Sequence, residues 1–315
     1  MTKVTDRSVA EDLRAVLPLM PDLSGMMHRL NDVRTLLQGE EGALPDPDKL
    51  TIDRITIEST DGVAIPALLY RPATAPGPRP ALLNIHGGGY VAGTALRDDP
   101  TMRQMALDLG CVVLSIDYRL SPEFPYPAPL NDCDTALSWL AANAAELSVD
   151  PKRIAVRGVS AGGGLAAALA LRDRSRGAAA IRHLLLIYPM LDDRTRDHPV
   201  AGRYVWTPPL NAFGWSSYLG SISQAPPPDA VPARANDLSG FAPTTIAIGS
   251  IDLFVDEALD FAKALIRSDV PTELHVYPGA FHGFNLVPDA RASIAFERDC
   301  RAALSYAFRL KDDLA

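Results

Sequence analysis

The chain has 315 residues, about twice the usual domain length, but single α/β domains reach this size. Hydrophobic residues make up 47% and charged residues 22%, which supplies a sizeable core and argues against intrinsic disorder. With 30 basic against 38 acidic side chains the net charge is −8, a balance that gives no attractive field for a phosphate backbone or anionic lipid and argues against nucleic acid as a partner.

Met1 to Ala10 is polar and lacks the apolar stretch of a signal peptide. Val9–Leu19 and Leu23–Leu37 carry apolar residues at helical spacing, and Pro45-Asp46-Pro47-Asp48 closes that segment. Thr51–Ser59 then alternates apolar and polar residues, Asp61-Gly62 signals a hairpin turn, and Val63–Tyr70 follows as a second, antiparallel strand. From about residue 80 short apolar runs alternate with helical stretches. Strands are predicted at Ala81–Ile85, Cys111–Ile116, Arg153–Val156, Leu184–Tyr188, Thr244–Ile248 and Glu273–Tyr277. Helices are predicted at Pro100–Leu109, Leu130–Leu147, Ala161–Arg172, Val255–Arg267 and Ala290–Leu310. That order predicts a mainly parallel sheet flanked by helices on both faces.

The alternation stops between about residues 190 and 240. Prolines at 199, 208, 209, 226–228 and 232 accompany Tyr204, Trp206, Phe213, Trp215 and Tyr218. A strandless stretch this long is more than a connector, and its aromatic residues need a surface to pack on. It reads as an insertion that joins the N-terminal helices in a cap over the carboxyl edge of the sheet. The expected partition is 1–48 for N-terminal cap helices, 49–189 and 241–315 for the α/β core, and 190–240 for the cap insertion. Ala178–Ala180 is a short loop, and no internal repeat is found. No apolar run approaches the ~20 residues of a membrane-spanning helix. Cys111, Cys133 and Cys300 are odd in number and lack metal-ligand spacing; they read as small buried hydrophobes in a reduced compartment, which suits the cytoplasm.

Gly158-Val159-Ser160-Ala161-Gly162 fits G-x-S-x-G and lies between a predicted strand and a predicted helix, the context that gives this motif meaning. A serine on that sharp turn points outward, and the helix N-terminus faces developing negative charge. Gly162, Gly163 and Gly164 all fall in the first helical turn, where each costs roughly 1 kcal/mol against alanine. A turn without function would seldom carry that cost three times, and close helix–sheet approach is the expected compensation. His86-Gly87-Gly88-Gly89 directly follows a strand. Glycines there let successive amides turn toward one point, as an oxyanion hole requires, and removing one such donor costs roughly 3–4 kcal/mol. Gly88 and Gly89, with Ala161, are the candidate donors, while His86 is expected to hold the loop.

In the chain order serine, acid, histidine, the acid and base must lie beyond Ser160. Asp252 follows the strand Thr244–Ile248 and His282 follows Glu273–Tyr277, both just past the carboxyl end of a strand. Asp256 and Glu257 are rival acids inside a predicted helix, and Asp252 has helix capping as its plain alternative. His28, His183, His198 and His275 are set aside on position. His282 would take the serine proton and return it to the leaving group, and Asp252 would orient the ring. Asp117, Arg119 and Glu123 are expected to form a structural ion-pair network beside the glycine loop.

Together these residues resemble the hormone-sensitive-lipase-like (family IV) bacterial carboxylesterases of the α/β-hydrolase superfamily, over roughly residues 50–310. The resemblance rests on His86–Gly89, Asp117–Glu123, Gly158–Gly163, Asp252–Glu257 and His282-Gly283-Phe284. It implies an α/β-hydrolase fold with an eight-stranded, mostly parallel sheet and a helical cap. It further implies hydrolysis of short- to medium-chain esters without metal or organic cofactor, by Ser160, Asp252 and His282 with Gly88, Gly89 and Ala161 as oxyanion donors. Many members are dimers, which leaves a homodimer open for this chain. Amidase, arylformamidase or thioesterase activity would use the same groups, and an inactive binding protein on this fold is disfavoured by the presence of His282. Two positions depart from the family pattern. Val159 stands where Asp or Thr is common, which removes a polar support for the oxyanion loop. Leu253 replaces a proline after the acid, which predicts a freer loop there.

Overall fold

The computed structural model describes residues 7–40, 42, 46, 48–73, 77–177 and 180–309. Parts of the expected N-terminal segment (1–6), of the Pro45–Asp48 closure, of the Ala178–Ala180 loop and the last residue of the C-terminal helix lie outside them.

Eight strands form one sheet: β1 (Leu50–Glu58), β2 (Ala64–Pro72), β3 (Arg79–Ile85), β4 (Val112–Ile116), β5 (Val149–Val159), β6 (Ile181–Ile187), β7 (Thr244–Gly249) and β8 (Thr272–Tyr277). Their spatial order is β1-β2-β4-β3-β5-β6-β7-β8. The β1–β2 and β2–β4 pairs are antiparallel, and every neighbour from β4 through β8 is parallel. Every residue of β4 and β7 is buried, so both faces of the sheet are covered. That double burial is why these strands read as unbroken apolar runs.

Short α1 (Glu11–Arg14) and α2 (Leu30–Leu36) precede the sheet, and α3 (Asp99–Leu109), α4 (Ala128–Ala142) and α5 (Ala161–Ser175) connect its first strands. α6 (Pro208–Leu219) lies between β6 and β7, α7 (Val255–Arg267) between β7 and β8, and α8 (Arg291–Arg309) follows β8. α3 packs against α8, and α4 against α5.

The N-terminal helices are much shorter than their periodicity predicts. Pro18 confines Leu17–Leu19 to a single 3-10 turn, and only Leu30–Leu36 of the second stretch is helical. Proline lacks the amide an α-helix needs, so the periodic pattern could not propagate. The pattern still marks a buried face, because Val9, Leu13, Leu23, Met26, Val33 and Leu37 are all core residues. In the segment after β6, α6 and single 3-10 turns are the regular elements. Its Tyr218 stacks on Tyr90 at 4.1 Å, and Trp215 lies 5.2 Å from the same ring, which packs this segment onto the glycine loop after β3.

Candidate active site

Ser160 sits between β5 and α5 with φ +55°, a conformation that is costly for a residue with a side chain. Neighbouring chain enforces it. The Ser160 amide donates to Ile187 O (2.8 Å), and the Ser160 carbonyl accepts from Gly164 (3.1 Å) and Met190 (3.0 Å). A Cβ at Gly158 or Gly162 would lie 2.2 Å from a carbonyl oxygen, of Gly162 and Ile85 respectively, and one at Gly164 2.3 Å from Met190 O. The glycines therefore permit the close helix–sheet approach expected of them.

The structure brings Ser160, Asp252 and His282 together from the ends of β5, β7 and β8. His282 Nε2 lies 3.0 Å from Ser160 Oγ, and Nδ1 lies 2.8 Å from Asp252 Oδ2. With the proton on Nδ1, the ring donates to the carboxylate and accepts from the serine hydroxyl. All three residues are buried. Asp252 does not cap α7, whose N-cap is Phe254 without a side-chain bond; its Oδ1 accepts from the Phe254 amide at 3.0 Å and braces the turn that leads into the helix. The two loops carrying Asp252 and His282 are stitched together: Ser250 N–H donates to Tyr277 O and Ile251 N–H to Ala280 O, and Gly279 N–H donates to Ser250 Oγ. The imidazole meets Phe254 edge-on at 5.3 Å and Tyr188 at 4.5 Å.

The rival acids are occupied elsewhere. Glu257 is buried and accepts from the Leu191 and Asp192 amides and from Thr195 Oγ1. Burial pushes its carboxyl well above the usual range. Asp256 is largely exposed, 3.5 Å from His198. Leu253 is buried and fills the space where Gly202 has no side chain.

The glycine loop curls on itself through Gly88 O, which accepts from Val91 (3.1 Å) and Ala92 (3.0 Å). Gly88 has φ +130° and a Cβ there would lie 1.9 Å from Ala92 O; Gly89 has φ +63°. Among the described residues, the amides of Gly88, Gly89 and Ala161 donate to no backbone or side-chain acceptor. His86 holds the loop as expected, stacked on Tyr118 at 4.3 Å while Tyr118 Oη donates to the His86 carbonyl (3.0 Å). Burial lowers the pKa of its imidazole. Val159 contributes an apolar wall beside Gly87 in place of a polar support.

Asp117, Arg119 and Glu123 do not form one network. Arg119 clamps Asp132 and reaches Asp61, Asp117 accepts from the Ala95 amide, and Glu123 pairs with Arg34 of α2. Each ties a different segment to the loop, because successive residues after β4 point in different directions.

A cavity of about 170 Å³ opens on Ser160, His282 and the glycine loop. Leu23, Leu37, Val205 and Trp206 wall it on one side. Trp206 lines it, whereas Tyr90 and Phe281 lie in the core. Tyr188, which donates to Asn285 Oδ1 (2.7 Å), lines the cavity without having been singled out from the sequence, as do Arg97 and Arg157. No local motif marks these three, since strand order and loop packing bring them to the site.

The profile of the α/β hydrolase fold family matches residues 82–286. Esterase LipI of Mycobacterium tuberculosis is 35% identical over 241 residues, covering 73% of this chain and 75% of that protein. Carboxylesterase NlhH of the same species is 33% identical over 297 residues, 89% of this chain and 92% of its own. Among solved structures, a bacterial heroin esterase superposes with a TM-score of 0.88 at 33% identity, over 98% of this chain and all of the other. The chain belongs to the α/β-hydrolase family. Within that family it is a carboxylesterase, consistent with the serine hydrolase geometry of its site. No described helix is long and apolar enough to cross a membrane.

Proposed function

We propose that this carboxylesterase cleaves short- to medium-chain acyl esters through an acyl-enzyme, with Ser160 as nucleophile, His282 as general base and then acid, and Asp252 as the group that orients and stabilises the imidazole. The observation that carries the reading is the continuous Ser160–His282–Asp252 hydrogen-bond chain of 3.0 and 2.8 Å. Ser160 Oγ attacks the ester carbonyl as its proton passes to His282 Nε2, and the Nδ1–H bond to Asp252 stabilises the resulting imidazolium. The amides of Gly88, Gly89 and Ala161, which spend their hydrogen bonds on nothing else described, serve as donors to the oxyanion. The alkoxide leaves with the proton from Nε2. Water then gives its proton to Nε2, attacks the acyl carbon and frees Ser160.

The volume of about 170 Å³ is below the roughly 300–1,000 Å³ of drug-sized sites, which favours small esters. Residues 1–48 and 190–240 form the cap in this reading, supported by Leu23, Leu37, Val205 and Trp206 on the cavity wall. The same reading puts the enzyme in the cytoplasm, where its three buried free cysteines stay reduced, and allows a homodimer through the outer edge of β8. Ser160→Ala tests the nucleophile. Turnover of p-nitrophenyl acetate and butyrate falls by several orders of magnitude, whereas near-wild-type rates refute the assignment. Matched ester, amide and thioester substrates compared by kcat/KM test the preference for esters.

A further inference from the structure

The cavity lining also carries a charged arm, formed by Arg97 and Asp98 of the 3-10 turn Ala95–Asp98, Arg157 of β5 and Glu297 of α8. Both acids there are engaged. Asp98 Oδ2 accepts from Arg157 Nη1 (3.1 Å) and Asn84 Nδ2 (3.0 Å), and Glu297 lies 3.7 Å from Arg301. The arginines are less fully used. Arg157 is 3% exposed, gives Nη1 to Asn84 and Asp98, and keeps its Nε buried without a partner. Arg97 is half-buried, and its guanidinium makes no hydrogen bond or ion pair with any described residue.

Asp98 pairs with Arg157, whereas Glu297 shares Arg301 with Asp108, so Arg97 is the charged group of this recess that has no partner among the described residues. A half-buried guanidinium without a protein partner gains from an anion that completes its hydrogen bonds. The protein as a whole is acidic, at −8, so an unpartnered guanidinium inside the substrate cavity is a local arrangement rather than a reflection of overall charge.

We propose that this arm binds a carboxylate carried by the substrate, which makes the preferred substrates anionic esters: half-esters of short dicarboxylic acids, or esters whose alcohol bears an acid group. The inference rests on Ser160 being the esterase nucleophile. The edge of the Arg97 guanidinium matches a planar carboxylate in geometry and offers it paired donors. A dianionic phosphate would meet more repulsion from Asp98 and Glu297 than a monoanionic carboxylate does. Arg97 is the specificity-determining residue, and Arg157, fixed by Asn84 and Asp98, lines the arm beside it.

The test measures kcat/KM by pH-stat for two matched pairs. Monomethyl glutarate against methyl pentanoate puts the carboxylate on the acyl side; 4-acetoxybenzoate against 4-methylphenyl acetate puts it on the alcohol side. Intrinsic reactivity differences cancel when the anionic-to-neutral ratio of the wild type is divided by that of a variant. A charged hydrogen bond contributes about 1.5–3 kcal/mol, so Arg97→Gln lowers the ratio roughly ten- to hundredfold for at least one pair, chiefly through KM. Arg97→Lys, which keeps the charge but not the fork, retains part of the preference and shows that the loss is not misfolding. Ratios that stay within twofold for both pairs in Arg97→Gln overturn the inference while leaving the esterase reading intact. A wild type that cleaves none of the four esters overturns both.

Discussion

At the carboxyl ends of β5 and β7, carbonyl oxygens stand so close to glycine α-carbons that a methyl group has no room. The separation from an added Cβ is 2.2 Å to Ile85 O at Gly162 and 2.2 Å to Ala280 O at Gly249. The segments that wall the cavity, residues 7–40 and 190–240, combine scattered backbone bonds, such as Ala10 N–H to Gly279 O, with side-chain tethers to the core. Arg34 reaches Val91 O, Ser121 O and Glu123, and Arg172 of α5 reaches Asp229. Backbone against backbone fixes the reacting groups, where a small displacement costs rate. Side-chain tethers fix the walls, where residues can be exchanged without disturbing the chemistry.

The largest expected effect belongs to the backbone-fixed group. Asp252→Asn lowers kcat about 10⁴-fold with the fold retained, because the amide favours the wrong imidazole tautomer. The rival acid substitution, Glu257→Gln, leaves kcat within a few-fold; steady-state kinetics on p-nitrophenyl butyrate reads both. Gly162→Ala comes next. Its methyl meets Ile85 O and His86 O with no side chain to move aside, so urea unfolding shows a loss of about 3 kcal/mol or more. Gly89→Ala makes the useful contrast, because its methyl meets the far end of the Trp206 ring at 2.2 Å. Trp206→Ala recovers part of the stability lost at Gly89 and none of that lost at Gly162.

His183 of β6 gives the sheet a pH signature. It is buried with Nε2 3.0 Å from Thr245 Oγ1, and desolvation lowers its pKa from 6.5 to about 4. The fold thus favours the neutral ring. Its contribution is complete above pH 6.5 and is lost as pH falls through about 4, a total of about 3 kcal/mol by linkage. Unfolding free energies of wild type and His183→Gln across pH 4–7 converge as the pH drops. The smallest effect lies in the walls. Arg34→Met costs about 1–2 kcal/mol, because the charged partner Glu123 is half-exposed while the two carbonyls are less so. It raises KM more than it lowers kcat.

The same division governs what could be read in advance. Backbone geometry leaves marks in local sequence: glycines where a Cβ cannot fit, a serine between strand and helix, and apolar runs that become β4 and β7. α7 matches its predicted bounds, Val255–Arg267, because its apolar face repeats without proline. Features that depend on distant side chains leave no such mark. Periodicity identified the buried face of residues 9–37 but overstated its helices, since Pro18 and the intervening turns were outweighed in the pattern. Burial in a core and burial around a ligand select the same residues, so sequence does not separate Trp206 on the cavity wall from Tyr90 and Phe281 in the core. The charged arm of Arg97 and Arg157 was not visible at all, because a 3-10 turn, β5 and α8 meet there only through the fold.

Catalysis turns on one reactive hydroxyl activated by one imidazole. Incubation with a p-nitrophenyl alkylphosphonate, followed by peptide mass spectrometry, measures that directly. One phosphonyl group per chain is expected, on the peptide containing Ser160, with labelling slowed by orders of magnitude in His282→Ala. Labelling at another residue, or undiminished labelling of Ser160 without His282, would contradict this mechanism.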